Sequence, residues 1–223
     1  MIKTKKRGDL IIISGTTCAG KGTVIKKLLE RHNDIVLSIS YTSRAKRDYE
    51  TNGVEYYFVT REEFERKIRD GELLEYNEYA GNYYGTPRKE VVEKLETGKD
   101  VVLEIEVNGA KMIKERYPET VLIFIMAPSM EEVKRRIKMR GAENNEQILA
   151  RFKTAYNEIN QVNNYNYVVV NDDVEEAVHK VESILVSEKL RVDRIEEIFV
   201  ENQEEIIHEF LMEKEFVNEE RDI

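Results

Sequence analysis

The stretch that decides the fold is LIIISGTTCAGKGTV, residues Leu10 to Val24. A short β-branched apolar run is followed, within nine residues, by three glycines, three threonines and one lysine. Backbone N–H groups at the start of a helix bind anions, and bulky side chains would keep phosphates away from them. The stretch therefore predicts a strand, a phosphate-binding loop at Gly15–Thr23 and a helix.

The residue types in this loop predict roles at a nucleoside triphosphate. The pattern G-x-x-x-x-G-K places Lys21 at the β- and γ-phosphates. A glycine follows the lysine, so the hydroxyl comes one position late, at Thr23, which we assign to the Mg²⁺ side of the site. The predicted triphosphate-binding residues of the loop are Gly15, Thr16, Thr17, Cys18, Ala19, Gly20, Lys21, Gly22 and Thr23. Taken alone, the loop could also be a tight turn without a ligand.

Length and charge limit the classes of function. The chain has 223 residues, of which 41% are hydrophobic, which is enough for one core with a small insertion. The net charge of −9 is concentrated at the end, where residues 191–223 carry 12 acidic and 4 basic groups. This balance argues against nucleic acid or an anionic membrane as the main partner. Because the chain has one cysteine and no long apolar run, we expect a cytoplasmic protein.

Apolar runs of strand length alternate with amphipathic helical patterns. The runs lie at residues 10–14, 101–105, 121–127 and 167–170, and the helical patterns at 23–31, 108–117, 130–140 and 146–160. Such alternation predicts an α/β fold, a parallel sheet with helices on both faces. From about residue 38 to 96 the sequence is rich in tyrosines and turn residues, which predicts a small α+β insertion with its own ligand surface.

The insertion carries residues that suit a phosphorylated acceptor. Arg44 and Arg47 lie three residues apart, and arginine binds phosphate oxygens in a bidentate way. Carboxylates and hydroxyls suit a base edge that presents adjacent N–H donors beside one acceptor, as guanine does. These positions are Glu75, Glu106, Ser40 and Thr86. The tyrosines could alternatively pack a small subdomain, and the arginines near residue 136 could form a solvated helix face.

Seven motifs in order resemble those of the guanylate kinase family. They are SGTTCAGKGT, TSRAKR, GVEYYFV, GNYYGTPR, LEIEVNGA, RIKMRG and VVVNDD, over about residues 8–188. The resemblance implies a P-loop core with a five-stranded parallel sheet at 8–37 and 97–188, a GMP-binding insertion at about 38–96 and a helical lid at about 136–156. It also implies Mg²⁺-dependent transfer of the ATP γ-phosphate to GMP.

The resemblance also implies which residues hold each substrate. The GMP site would consist of Ser40, Arg44, Arg47, Tyr56, Glu75, Tyr84, Thr86 and Glu106. Arginines and tyrosines would hold its phosphate, and carboxylates and hydroxyls would read guanine. Lys21, Arg140 and Arg151 would stabilise the transferring phosphoryl group, whereas Arg136 and Asn171 would flank adenine. The NDD sequence could alternatively cap the following helix.

Two departures from the family pattern bear on the site. Cys18 stands where the family has a glycine, so a positive φ there would strain the loop. Glu106 stands where aspartate is usual, which moves the carboxylate by about a bond length. Alternative functions are a kinase for another nucleoside monophosphate or a sugar phosphate, and a non-catalytic guanylate-kinase-like protein-binding module. The retained lysine and arginines favour an enzyme.

The end of the chain predicts a separate element. Apolar residues recur at spacings of 4, 7, 4 and 7 on an acidic background, at Ile195, Phe199, Ile206, Phe210 and Val217. This stripe predicts an acidic amphipathic helix over residues 190–223. We expect it to form a homodimer, with packing on the body of the same chain as the alternative.

Overall fold

The computed structural model describes residues 2–4, 7–79, 81–139 and 145–198. The strands in these ranges are β1 (Ile2–Thr4), β2 (Leu10–Gly15), β3 (Ile35–Leu37), β4 (Tyr41–Thr42), β5 (Tyr57–Phe58), β6 (Leu73–Tyr79), β7 (Asn82–Pro87), β8 (Asp100–Leu103), β9 (Val121–Met126), β10 (Tyr167–Val170) and β11 (Ile195–Ile198). The helices are α1 (Lys21–Arg31), α2 (Arg61–Arg69), α3 (Arg88–Glu96), α4 (Val107–Arg116), α5 (Met130–Met139), α6 (Asn145–Ile159) and α7 (Val174–Lys189). None of these helices is long and apolar enough to span a membrane.

A five-stranded parallel sheet forms the centre of residues 6–188, which are one compact unit. Its strand order is β10-β9-β2-β8-β3, and each neighbouring pair is parallel. The α/β prediction is confirmed, because every parallel connection needs a crossover and the helical patterns supply these crossovers. The strand β3 has only three residues, too few for a recognisable apolar run in the sequence.

The core lies on both faces of this sheet, as alternation along β2 shows. Ile11 and Ile13 belong to the apolar cluster that includes residues of α1 and α7. Leu10 and Ile12 belong to the cluster on the opposite face, with residues of α3 and α4. Because strand side chains alternate between faces, a strand buried on both sides is apolar at every position. The packing fixes the carboxyl end of β2, where the glycine-rich loop begins.

A second sheet, ordered β5-β4-β7-β6, lies in the tyrosine-rich region. The helix α2 begins with a capping box, in which Thr60 accepts from the Glu63 backbone and the Glu63 side chain accepts from the Thr60 backbone. Phe64 of this helix is fully buried, and its ring stacks on Tyr83 with centroids 5.2 Å apart. This aromatic contact helps to attach the helix to the small sheet, giving the predicted α+β insertion.

The chain ends form a second compact unit. In it β1 pairs antiparallel with β11, and Ile2 lies opposite Ile198. The prediction of a helix from residue 190 is wrong for the described part, where a 3₁₀ turn at Val192–Arg194 leads into a strand. Local periodicity missed this strand because its hydrogen-bonding partner lies near the other end of the chain. The remaining residues of the apolar stripe, Phe199, Ile206, Phe210 and Val217, lie outside the described residues.

Candidate active site

The glycine-rich loop folds closely onto the end of the neighbouring strand β9. The Thr16 N–H donates to the Ile125 carbonyl at 3.1 Å, and a Cβ on Gly15 would lie 1.8 Å from the same oxygen. Gly20 has φ 85° at the N-cap of α1, where a Cβ would lie 2.5 Å from Asn171 Nδ2. Glycine is therefore required sterically at Gly15, and sterically and conformationally at Gly20.

Cys18 meets the condition under which strain was expected at this position, because its φ is positive. Its φ is 63°, the one positive value at a non-glycine residue in the described part of the chain. Left-handed backbone costs a residue with a Cβ about 1–2 kcal/mol. The side chain is buried in an apolar cluster with Val133 and Ile137 of α5 and Ala155 of α6. This packing offsets part of the strain, and burial makes the thiol a small packing group rather than a nucleophile.

The Ala19 carbonyl gathers two of the predicted adenine-side residues. It accepts hydrogen bonds from Asn171 Nδ2 at 2.7 Å and Arg136 Nη1 at 3.3 Å. Arg136 also donates from Nη2 to the Asn171 carbonyl at 3.0 Å and from Nε to the Glu132 carboxylate at 2.6 Å. The buried Asn171 Oδ1 has no hydrogen-bond partner among the described residues. Asp173 caps α7 by accepting from the Glu176 backbone at 2.9 Å, so the predicted capping is present beside the contacts at Ala19.

One cavity of about 430 Å³ joins the glycine-rich loop to the insertion. The loop contributes Gly15, Thr17 and Lys21 to its wall. The predicted acceptor-site residues in the wall are Ser40, Tyr56, Glu75, Tyr84 and Glu106. Lys21 lies back over its own loop and donates from Nζ to the Gly15 carbonyl at 3.0 Å. The two predicted substrate sites therefore open into a common space.

Glu75 is a buried carboxyl in this cavity. Its Oε1 accepts from the Thr86 hydroxyl at 2.6 Å, so Thr86 lies behind the carboxyl rather than in the cavity wall. A Cβ on Gly109 would lie 2.6 Å from Glu75 Oε2, and glycine there makes room for the carboxyl. Burial raises the pKa of Glu75, the Thr86 hydrogen bonds lower it and the nearby Glu106 raises it, and the net value is about 7.

Glu106 faces the same cavity from the residue before α4. Its Oε2 accepts from Asn77 Nδ2 at 3.3 Å. Asn77 comes from β6, where it follows Glu75 by two residues and so shares a face of the strand with it. Sequence reasoning did not single out Asn77, although this period of two was the available signal.

The two predicted phosphate-binding arginines are organised by a residue that sequence reasoning missed. Buried Glu50 accepts from Arg44 Nη2 at 2.7 Å and Nη1 at 3.0 Å, and from the Arg47 backbone N–H at 2.8 Å. The Arg44 guanidinium holds the pKa of Glu50 at about 2. Arg44 lies 5.6 Å from the ring centroid of Tyr56, which is part of the cavity wall. Neither arginine is itself part of that wall.

The predicted catalytic arginines of the lid are Arg140 and Arg151. Arg151 is exposed on α6 and does not line the cavity, and Arg140 lies outside the described residues. Another α6 residue, Glu158, reaches the loop and accepts from the Thr17 N–H at 2.7 Å. Nothing in the charged helical pattern distinguished Glu158 from its solvated neighbours.

Glu104, also missed, lies next to the start of α1. It follows β8, and its Oε2 is 4.0 Å from the position of a Cβ on Gly22, the residue before Thr23. An acidic residue directly after the buried run VVL was a usable signal, since β8 neighbours the strand that leads into the loop. Within the described ranges, no group of three or more Asp, Glu, His or Cys side chains could hold a metal ion.

Comparison with known proteins gives consistent matches. The family model described as guanylate kinase matches residues 7–188. A guanylate kinase of Clostridium perfringens (strain SM101 / Type A) is 52% identical over 210 residues, 94% of this chain and 97% of that protein. One from Caldanaerobacter subterraneus subsp. tengcongensis is 50% identical over 203 residues, 91% of this chain and 98% of that protein. The crystal structure of guanylate kinase from Anaplasma phagocytophilum has a TM-score of 0.72 at 39% identity, covering 86% of this chain and 92% of that one.

Proposed function

The chain belongs to the guanylate kinase family, and from this premise we propose which of its residues carry out the transfer of the ATP γ-phosphate to GMP. The reaction gives ADP and GDP. The observation that carries the residue assignment is the cavity in which Lys21 and Thr17 of the P-loop face Glu75 and Glu106 of the acceptor side. Phosphoryl transfer needs the two substrates in line and their charge neutralised, and a common cavity meets the first need.

On the ATP side, the loop Gly15–Thr23 receives the phosphates. Lys21, which now donates to its own loop, would turn towards the β- and γ-phosphates, since phosphate oxygens are stronger acceptors than a carbonyl. Arg136 and Asn171 would flank adenine. Support comes from their convergence on the Ala19 carbonyl and from the buried Asn171 Oδ1, which suits the adenine amino group as an acceptor.

On the GMP side, Glu75 and Glu106 accept the N–H donors of guanine, with Ser40 and Thr86 completing the polar set. Adenine lacks an N1–H, so the pair of carboxylates favours guanine. The GMP phosphate would be bound by Arg44, Arg47, Tyr56 and Tyr84. The bidentate contact of Glu50 with Arg44 supports this role, because it pre-orients one of the guanidinium groups beside the cavity.

Guanylate kinases generally require Mg²⁺, and the donors near the start of α1 fit it. The Thr23 hydroxyl and the Glu104 carboxylate are hard oxygen ligands, the type Mg²⁺ prefers, and both adjoin Gly22. The sparse protein ligands suit an ion that takes its other ligands from phosphates and water. When bound, Mg²⁺ would neutralise charge on the phosphates. Lys21, Arg140 and Arg151 would stabilise the remaining charge of the transferring phosphoryl group.

A coupled ADP-release assay with MgATP and each of GMP, AMP, CMP and UMP tests the assignment. Selective turnover of GMP is expected, and equal use of AMP would contradict the base-reading role of the two carboxylates. Lys21→Ala should mainly lower kcat, whereas Glu75→Ala should weaken GMP use and leave background ATP hydrolysis largely intact. Equal loss of both activities in both variants would contradict this division of roles.

A homodimer through residues 190–223 and a cytoplasmic location remain parts of this proposal. The apolar stripe supports the dimer, and the match to the Clostridium perfringens protein, which covers 94% of this chain, includes most of this segment. Light scattering of the full chain and of an Ile206→Glu, Phe210→Glu variant tests it. We expect the full chain to be a dimer and the variant a monomer. The same mass for both proteins would show that these two residues do not form the dimer interface.

A further inference from the structure

A carboxylate of the lid helix α6 occupies a backbone donor of the P-loop. Glu158 Oε2 accepts from the Thr17 N–H at 2.7 Å, a short charge-assisted hydrogen bond. Thr17 and Glu158 both line the substrate cavity, together with Lys21. An anionic oxygen bonded to a P-loop amide takes the position that a phosphate oxygen of a substrate would take.

The charges around Glu158 fit an internal anion at this position. Burial raises the pKa of Glu158 above its ordinary value, and the negative charge of Glu106 acts in the same direction. The Thr17 bond and the positive charge of Lys21 oppose this rise and favour the ionised form. The ionised form of Glu158 is thus stabilised by the Thr17 N–H and by Lys21, which are also expected to bind phosphate. A phosphate competes with Glu158 for both groups.

The helix that carries Glu158 also carries the lid arginine Arg151. The two residues are seven positions apart, two turns of an α-helix, so they lie on nearly the same face of α6. With Glu158 bonded to Thr17, Arg151 is exposed and outside the cavity wall. Release of the carboxylate from the loop would therefore remove a constraint on the helix face that bears the arginine.

We propose that Glu158 is an internal anion that occupies the Thr17 amide of the P-loop and is displaced by the phosphates of a bound nucleotide. The inference rests on the proposed function, in which this loop binds the phosphates. Because the displaced bond is charge-assisted, its loss opposes phosphate binding and lowers the affinity of the enzyme for every ligand that places a phosphate at this amide. A ligand without phosphates does not meet this opposition.

Calorimetric titration of the full-length chain with ADP, tripolyphosphate and adenosine tests the proposal. Glu158→Gln keeps the shape and a carbonyl acceptor but removes the charge. We expect ADP and tripolyphosphate to bind about 3- to 10-fold more tightly to this variant, since a neutral acceptor holds the amide about half as strongly, and adenosine to bind unchanged. Glu146→Gln, an exposed carboxylate in the first turn of the same helix, is the matched control and should change no affinity.

Unchanged or weaker binding of ADP and tripolyphosphate to Glu158→Gln would overturn the proposal, as would an equal gain for adenosine. Lys21→Ala separates this failure from a failure of the proposed function. If Lys21→Ala does not weaken tripolyphosphate binding, the loop is not the phosphate site and the proposed function itself fails. If it does weaken binding while Glu158→Gln brings no gain, only the present inference fails.

A measurement on the unaltered protein removes dependence on the variant. In NMR spectra, the Thr17 amide and the Glu158 side-chain carboxyl carbon should both shift when tripolyphosphate is added, because one bond is exchanged for another. The Glu146 carboxyl carbon should stay in place. A Thr17 amide that shifts while the Glu158 carbon does not would overturn the displacement.

Discussion

Replacing Glu75 by glutamine removes a charge from a buried carboxyl of the substrate cavity. Only 5% of Glu75 is exposed, and burial raises its pKa from 4.5 to about 7. Glutamine has almost the same shape, and its carbonyl can still accept from the Thr86 hydroxyl, which lies 2.6 Å from Oε1. The substitution therefore isolates the effect of the charge.

The sign of the effect on stability follows from proton binding. Between pH 4.5 and about 7 the carboxyl of the unfolded chain is ionised, whereas the folded one keeps its proton. The folded state binds more protons in this window, so the free energy of unfolding falls as the pH rises through it. At about 1.4 kcal/mol per pH unit, the full fall is about 3 kcal/mol and is complete above the folded pKa. The glutamine variant has no such fall.

Urea unfolding of both proteins at pH 5 and pH 8 measures this difference. The free energy of unfolding of Glu75→Gln, relative to that of the unaltered chain, should be higher at pH 8 than at pH 5 by about 2–3 kcal/mol. Glu78→Gln removes an exposed carboxylate of the same strand and serves as the control for loss of a surface charge. If this difference in the free energy of unfolding is equal at pH 5 and pH 8, the assignment of Glu75 as a desolvated carboxyl is refuted.

The same charge predicts how GMP use depends on pH. An ionised carboxylate binds the two guanine N–H groups more strongly than a protonated carboxyl, which has one acceptor oxygen fewer. GMP binding below pH 7 is therefore linked to loss of the Glu75 proton, and KM for GMP should fall as the pH rises from 6 to 8. Glu75→Gln should show a KM raised about 10- to 100-fold, because a hydrogen bond to a charged group is lost, and no pH dependence from this position. A flat KM profile in the unaltered enzyme would refute the role of the ionised carboxyl in reading guanine.

Three further substitutions test the supports of the acceptor site. Gly109→Ala places a Cβ 2.6 Å from Glu75 Oε2, so steady-state assays should show KM for GMP raised at least about 10-fold with KM for ATP unchanged; equal rises would contradict a local effect. Asn77→Ala removes the 3.3 Å bond to Glu106 and should raise KM for GMP about 2- to 5-fold, with no change in kcat; a fall in kcat alone would be inconsistent with positioning. Glu50→Gln weakens the contacts that orient the two arginines. In competition binding it should lower the affinity for GMP more than the affinity for guanosine, and an equal loss of both affinities would argue against a phosphate-specific role.

The parts of the structure that sequence could predict are those fixed by local pattern. The run Leu10–Gly15 and the following glycines define a strand and a phosphate loop, because burial on both faces and close backbone approach each restrict residue types. The strain at Cys18 was expected only on the condition of a positive φ, and from the resemblance to a family that has glycine there rather than from the local pattern. The strand Ile195–Ile198 was not predictable, because its partner at Ile2–Thr4 is remote in sequence.

Of the four residues that sequence reasoning missed, three act through other side chains or through backbone groups. Glu50 holds Arg44, Asn77 holds Glu106, and Glu158 holds a backbone N–H of the loop. Each is a common polar residue on a charged or turn-rich background, and its role depends on a contact with a separate segment of the fold. Such roles require the spatial arrangement, whereas a residue that touches a ligand belongs to a motif with its own spacing.

The two sides of the P-loop are held by the lid in chemically opposite ways. Arg136 of α5 donates to the Ala19 carbonyl, and a bound phosphate, itself an acceptor, does not compete for that carbonyl. Glu158 of α6 accepts from the Thr17 amide, and a phosphate competes directly for that donor. Phosphate binding should therefore release α6 from the loop while α5 stays attached. This asymmetry gives a physical reason for α6, the lid helix that carries Arg151, to respond to the nucleotide while α5 does not.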